Sequence, residues 1–144
     1  MKRYRQQIIP AIISPPGFKH KPVAELRKYV LDHYNTCVRG KTVKNQSSGW
    51  EIRFSGAGLR KITKGSALYP NKAITVLVID KLLEAAEFNN FGQPKPSDPK
   101  ELAGYLNFKV KCRIDGVVYP RIAVLLYRKD GKIFWNHEVS IKKG

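Results

Sequence analysis

The strongest constraint on the fold lies in residues 105–141, "YLNFKVKCRIDGVVYPRIAVLLYRKDGKIFWNHEVSI". Apolar and polar residues alternate with period two along much of this run, and two Asp-Gly pairs divide it. Alternation puts successive side chains on opposite faces of a strand, and Asp-Gly accepts the positive φ of a tight hairpin turn. The pattern predicts three antiparallel strands in meander order: about Tyr105 to Ile114, about Val117 to Arg128, and 133–141. On the first, Leu106, Phe108, Val110, Cys112 and Ile114 face one side; Tyr105, Asn107, Lys109, Lys111 and Arg113 face the other. On the second, Tyr119, Arg121, Leu125 and Tyr127 share a face. On the third, Ile133, Trp135, His137, Val139 and Ile141 point one way, and Phe134, Asn136, Glu138 and Ser140 the other.

Upstream the period changes. Pro22 opens a helical stretch with Val23, Leu26, Val30, Tyr34 and Cys37 along one face, and Gly40 suits its stop. "KTVKNQSSGWEIRFS" reads as two short strands around the turn "NQSSG". Gly56 and Gly58 lead into a short basic helix, "LRKITKG". A longer helix is expected from about Asn71 to Phe88, its wide apolar face built on Ile74, Leu77, Val78, Leu82, Ala85 and Ala86. "NNFGQPKPSDPKE" reads as a mobile loop. Helices first and an antiparallel sheet second make the class α+β. The 144 residues suit one domain, expected over 22–144. A basic, Pro-rich leader over 1–21 precedes it, as an arm packed on the domain or a linker.

Charge narrows the partners. Lys and Arg number 27 against 11 Asp and Glu, a net +16. Solubility asks for far less, so the surface is expected to attract a polyanion: nucleic acid, an anionic membrane or an acidic protein. No apolar run approaches the roughly 20 residues that span a bilayer. The first residues lack the continuous apolar core and cleavage site of a secretory signal, because Pro10, Pro15 and Pro16 interrupt them. Cys37 and Cys112 have no metal-ligand spacing, and both fall at apolar positions where buried free thiols are expected.

The row Lys109, Lys111 and Arg113, with Tyr105 beside it, is a candidate track for phosphates and a stacking base. A solvent face of any sheet also carries lysines, so the row gains weight from the other cations: Arg53, Arg60, Lys61, Lys64, Arg121, Arg128 and Lys129. Neither helix-turn-helix spacing nor zinc-finger cysteines are present.

Phosphate-cradling glycine loops of the Walker type, "GxSxG" and clustered metal ligands are all absent, and the acids are scattered. No cofactor is implied. RNA cleavage without a metal asks for less, since the 2′-hydroxyl is the nucleophile. It needs a base, an acid and cations to stabilise the phosphorane. His137 has the residue type, on a sheet that carries Arg113, Arg121 and Tyr127. A lone histidine among apolar neighbours is usually a satisfied core residue. Glu138, facing the other way, is most simply a partner for a cation on the next strand. His33 is expected to be structural.

The stretches "GKTVKN…WEIRFSGAGLRKITKG" and "RIDGVVYPRIAVLLYRKDGKIFWNHEVS" resemble domains attached to phage-borne and polyvalent bacterial proteins, of the barnase–EndoU–colicin–RelE group of metal-independent RNases and toxins. The resemblance rests on Arg128, Lys129 and Asp130, then Phe134 and Trp135, then His137, Glu138 and Val139. Ser55 leading to Arg60 and Lys61 is a second element; together they cover roughly residues 38 to 142. It implies helices packed on a curved antiparallel sheet with RNA in the cleft on that sheet. The expected activity is that of an endoribonuclease toxin acting on RNA, tRNA among the candidates. His137 would be general acid or base, with Glu138 beside it, Arg113 and Arg121 on the scissile phosphate, and Tyr127 orienting or donating a proton. Arg53, Arg60, Lys61, Lys64, Lys109 and Lys111 would hold backbone phosphates. The resemblance also implies an acidic immunity partner, and action in the cytoplasm of a producing or target bacterium after delivery on a larger secreted protein. The alternatives are a nucleic-acid-binding module without cleavage, and an interaction domain for an acidic partner alone.

Overall fold

In the computed structural model, which describes residues 9–56 and 70–141 with the side chains of 71, 72 and 137–141 outside that description, the last third is the expected meander. Its strands are β5 (Leu102–Ile114), β6 (Val117–Arg128) and β7 (Ile133–Ile141). Asp115 and Gly116 take φ of 48° and 85° between β5 and β6, the left-handed pair that lets right-twisted strands return on themselves. Along β5 burial alternates as its residues do: Leu106, Phe108, Val110, Cys112 and Ile114 are buried, while Lys109, Lys111 and Arg113 are exposed.

Before these come β1 (Ala11–Ile12), α1 (Val23–His33), β2 (Thr42–Lys44), β3 (Glu51–Arg53), α2 (Pro70–Leu77), α3 (Ile79–Ala85) and β4 (Glu87–Gly92). One sheet holds the strands in the order β1-β5-β6-β7-β3-β2, and β4 also pairs with β5. β6 runs along one edge of β5 from end to end. The other edge is shared: β4 lies antiparallel to its first half and β1 parallel to its last residues. β3 joins β7 in parallel, with Arg53 opposite Phe134.

The sheet is strongly curled into a half-barrel. The β2–β3 turn, at the far end of the strand order, comes back against α3 and β5. Asn45 donates its amide to the carbonyls of Leu83 and Ala86 at 2.6 and 2.7 Å, and the Trp50 ring stands 6.0 Å from that of Phe108. Inside the curl, Leu26, Val30 and Tyr34 pack with Ala73, Ile74 and Leu82 and with the inner side chains of the strands. Trp135, fully buried, lies 5.5 Å from Tyr34. Each such large apolar side chain contributes about 1.5–3 kcal/mol when taken from water.

Three expectations need correction. The first helix buries Leu26, Val30, Tyr34 and Val38 at every fourth position, leaving Val23 and Cys37 exposed. It ends in a π-turn over Tyr34–Val38, whose wider pitch turns Val38 inward and Cys37 out. Only Cys112 is a buried thiol. The helix expected to reach Phe88 is broken at Val78 (φ −120°, ψ 19°), within a run rich in β-branched residues, and ends at Ala85. Phe88 and the start of the expected loop instead form β4.

Residues 9–21 lie against the domain. Pro10 and Ile12 accept hydrogen bonds from the backbone of Arg113 and Asp115 at 2.9 and 3.0 Å, and Phe18 is wholly buried in the core. The short basic helix expected around Arg60, Lys61 and Lys64 lies outside the described residues.

Candidate nucleic-acid interface

The two faces of the sheet carry different chemistry. The inner face meets the helices. The outer face turns Lys109, Lys111 and Arg113 to solvent along β5, with the half-buried Asn107 and Tyr105 continuing the row. Across the ladder they stand opposite Ile122, Pro120 and Val118 of β6. Those residues, with Val124 and Leu126, form an aliphatic stripe that is half-buried or exposed. Beyond it the surface is cationic again. Arg128 lies over the Phe134 ring at 5.6 Å, and the exposed Arg53 is the ladder partner of Phe134. Arg128 Nε also stands 3.6 Å from Asp130 Oδ2, a solvent-screened pair worth little in stability.

Neighbouring groups hold both ends of the β5 row. At one end Tyr105 donates its hydroxyl to Asp98 Oδ2 at 2.7 Å, and that hydrogen bond raises the phenol's pKa. At the other, Asp115 accepts from the Ser14 hydroxyl and backbone N–H at 2.7 Å and pairs with Lys19 at 2.9 Å. The Ser14 hydroxyl first, then Lys19, holds its carboxyl down to about 2. Arg113 is thereby fixed beside a clasped arm, and its backbone is tied on both edges of β5.

The expected catalytic group does not assemble as drawn from the sequence. Arg121 is on the inner face and only 1% exposed. Its guanidinium stacks on Tyr119 at 5.1 Å and donates Nη1 to the Pro120 carbonyl at 3.2 Å. It also moderates the pKa of Cys112, which burial pushes up. Tyr127 packs on the same inner face. Arg113 is on the outer face, so the two arginines expected to share one phosphate point to opposite sides of the sheet. The reason is register: Arg121 is opposite the buried Val110, and Arg113 opposite Val118.

His137 and Glu138 are in β7, and their side chains lie outside the described residues. Their backbone sits where pairing is irregular. Ala123 is opposite Val139 and Leu125 opposite Trp135, so residues 136–138 face Val124 alone. Asn136, at the start of that irregular stretch, is buried at 5% exposure, where simple alternation puts it on the face opposite Trp135. His33 accounts for itself structurally, its Nε2 lying 2.9 Å from the Leu77 carbonyl oxygen.

Residue type alone gives no weight to three exposed aromatics, Trp50, Phe88 and Phe91. The signal for two of them is "EFNNFG", aromatics spaced by residues that leave a helix readily. Among the described residues no group of three His, Cys, Asp or Glu is placed to hold a metal ion. Among them, too, no helix is long and apolar enough to cross a membrane.

A family model described as large polyvalent protein-associated domain 3 matches residues 21–135. Comparison with curated proteins and with solved structures gives no match.

Proposed function

The chain belongs to the large polyvalent protein-associated domain 3 family, and we propose that the outer face of its curled sheet binds RNA. The observation that carries this reading is the row Lys109, Lys111 and Arg113, exposed on one face of a strand whose other face is core. A strand pinned along both edges presents its cations at fixed spacing, which suits a phosphodiester backbone. The aliphatic stripe beside it offers an apolar floor for sugars and bases, and Arg53 with Arg128 bounds the far side. The net +16 supplies long-range attraction. RNA is favoured over DNA by the resemblance of the closing motif, Arg128 to Val139, to small ribonucleases.

The test is anisotropy of labelled RNA titrated with the domain at several salt concentrations. Replacing Lys109, Lys111 and Arg113 by alanine should weaken binding. It should also flatten the salt dependence, by about 0.7 in slope for each phosphate no longer neutralised. Binding that ignores all three replacements removes this reading.

A second reading adds metal-independent cleavage. It is favoured by the irregular ladder at residues 136–138, since such bulges re-aim side chains and gather near active sites. Here the RNA 2′-hydroxyl attacks the adjacent phosphorus and the 5′-oxygen leaves. His137 moves the proton, and outer-face cations stabilise the phosphorane. Arg121 and Tyr127 then serve the inner face and not the phosphate. A toxin role, a tRNA target and an acidic protective partner belong to this reading. Incubation with RNA in EDTA, comparing wild type with His137→Ala, decides it: fragments from the wild type alone support it, and intact RNA from both removes it.

A further inference from the structure

Edge strand β4 breaks its ladder to put two rings on one side. Phe88 and Phe91 are three residues apart, a spacing that would normally place them on opposite faces. A register shift between Phe88 and Asn90 absorbs one residue, so Phe88 pairs with Phe108 and Phe91 with Leu106, both inner-face positions. The Phe91 ring has room because residue 104 is glycine: a Cβ there would run into that ring and into the Gly92 carbonyl. Trp50 completes the group from the β2–β3 turn. Its ring is edge-to-face with Phe88 at 5.4 Å, and Phe88 is edge-to-face with Phe108 at 5.7 Å.

These devices leave large aromatic surface in water. Trp50 and Phe88 are each 39% exposed and Phe91 44%. The rings therefore do more than seal the curl. Asn89 and Asn90, both exposed, separate the two phenylalanines in the chain, and Asn90 is opposite the outer-face Asn107. Their neighbour Glu87 is the ladder partner of Lys109, so the aromatic group and the cationic row lie on opposite sides of the same edge. The phenylalanines and the row belong to adjacent strands, with the backbone of the edge between them.

We propose that Trp50, Phe88 and Phe91 are a stacking platform for unpaired nucleobases, which makes the ligand single-stranded RNA. The inference rests on the RNA-binding reading above and extends it to the form of RNA. The strand crosses the edge of β4, its phosphates toward Lys109 and Lys111 and its bases on the rings. The positive charge on the outer side selects a polyanion, and the exposed ring surface on the other side selects bases that no complementary strand has already stacked. A duplex reaches only the cations.

Trp50 is a built-in reporter, because the other tryptophan, Trp135, is fully buried. The experiment titrates the whole chain at low salt with a short oligouridylate and, separately, with an RNA duplex of equal length. It follows tryptophan fluorescence and anisotropy for wild type, Phe88→Leu and Phe91→Leu, with circular dichroism to confirm folding. Expected are quenching by the single strand alone and a loss of about tenfold in its affinity in the Phe91→Leu protein, with duplex affinity unchanged. Phe88→Leu should act in the same direction; Phe91→Leu decides the matter if the Phe88 variant fails to fold. Equal binding of both forms, without quenching and without sensitivity to Phe91→Leu, overturns the platform while RNA binding stands. Binding of neither form overturns the RNA reading, and the platform with it.

Discussion

Arg113 and Arg121 belong to one ladder and lead opposite lives. They are separated along it by an odd number of rungs, so one faces solvent and the other the helices. The outer arginine can exchange hydration water for a phosphate at small cost. The inner one is enclosed, stacked on Tyr119 and hydrogen-bonded to the Pro120 carbonyl. Its long stem fills core volume as an aliphatic side chain would. A cation's role in this sheet thus follows from strand parity and register before residue type has any say.

That contrast can be broken first at its buried member. Arg121→Ala removes a large enclosed side chain and its stacking on Tyr119, and should cost about 3 kcal/mol in urea unfolding. RNA affinity of the folded fraction should stay within about twofold, a change of roughly 0.4 kcal/mol. A collapse of that affinity in folded protein would put Arg121 back among the phosphate ligands. At the other end of the inner face, Gly104→Ala forces a methyl group against the Phe91 ring and the Gly92 carbonyl. It should cost about 2 kcal/mol by thermal melting. The triple replacement of Lys109, Lys111 and Arg113 by alanine should change stability by no more than about 0.5 kcal/mol, whatever it does to RNA.

The smallest effect is expected at the arm. Asp115 titrates at about 2 when folded, below its ordinary range of about 4. A depressed carboxylate adds stability that is present above the ordinary value and lost as pH falls through the folded one. The clasp on residues 9–14 should therefore loosen between about pH 4 and 2, read as faster hydrogen exchange at Arg113 and Asp115. Asp115→Asn should give the loosened rates already at neutral pH and leave the acid-side dependence flat.

Much of the scaffold is legible in the chain. The meander and the facing of β5 follow from strict alternation and two Asp-Gly turns, and β2 with β3 from the short runs around "NQSSG". Local pattern fails where a distant group decides. Val78 interrupts an otherwise helical period. Asn45, some forty residues away in sequence, caps the carbonyls that end α3. The parallel pairings of β1 with β5 and of β3 with β7 leave no mark in either segment taken alone. Of the candidate site, the cationic row is legible and the separation of Arg113 from Arg121 and Tyr127 is not. Placing them needs the register across the Asp115–Gly116 turn, which residue type does not contain. Asn136 is misplaced by plain alternation for the same reason, since the irregular rung belongs to the pair of strands.

The shared edge of β5 has a consequence for how the molecule opens. β5 is hydrogen-bonded to β6 along one side and to β4 and then β1 along the other, so most of its amides have partners within the sheet's interior. The arm or β4 can detach separately, each releasing only its own stretch of that edge. The centre of β5 comes free only when the whole cooperative unit does, so its slowest amides measure the global stability of the fold. Fluctuations are thereby confined to the two flanks, and one of those flanks carries the aromatic rings.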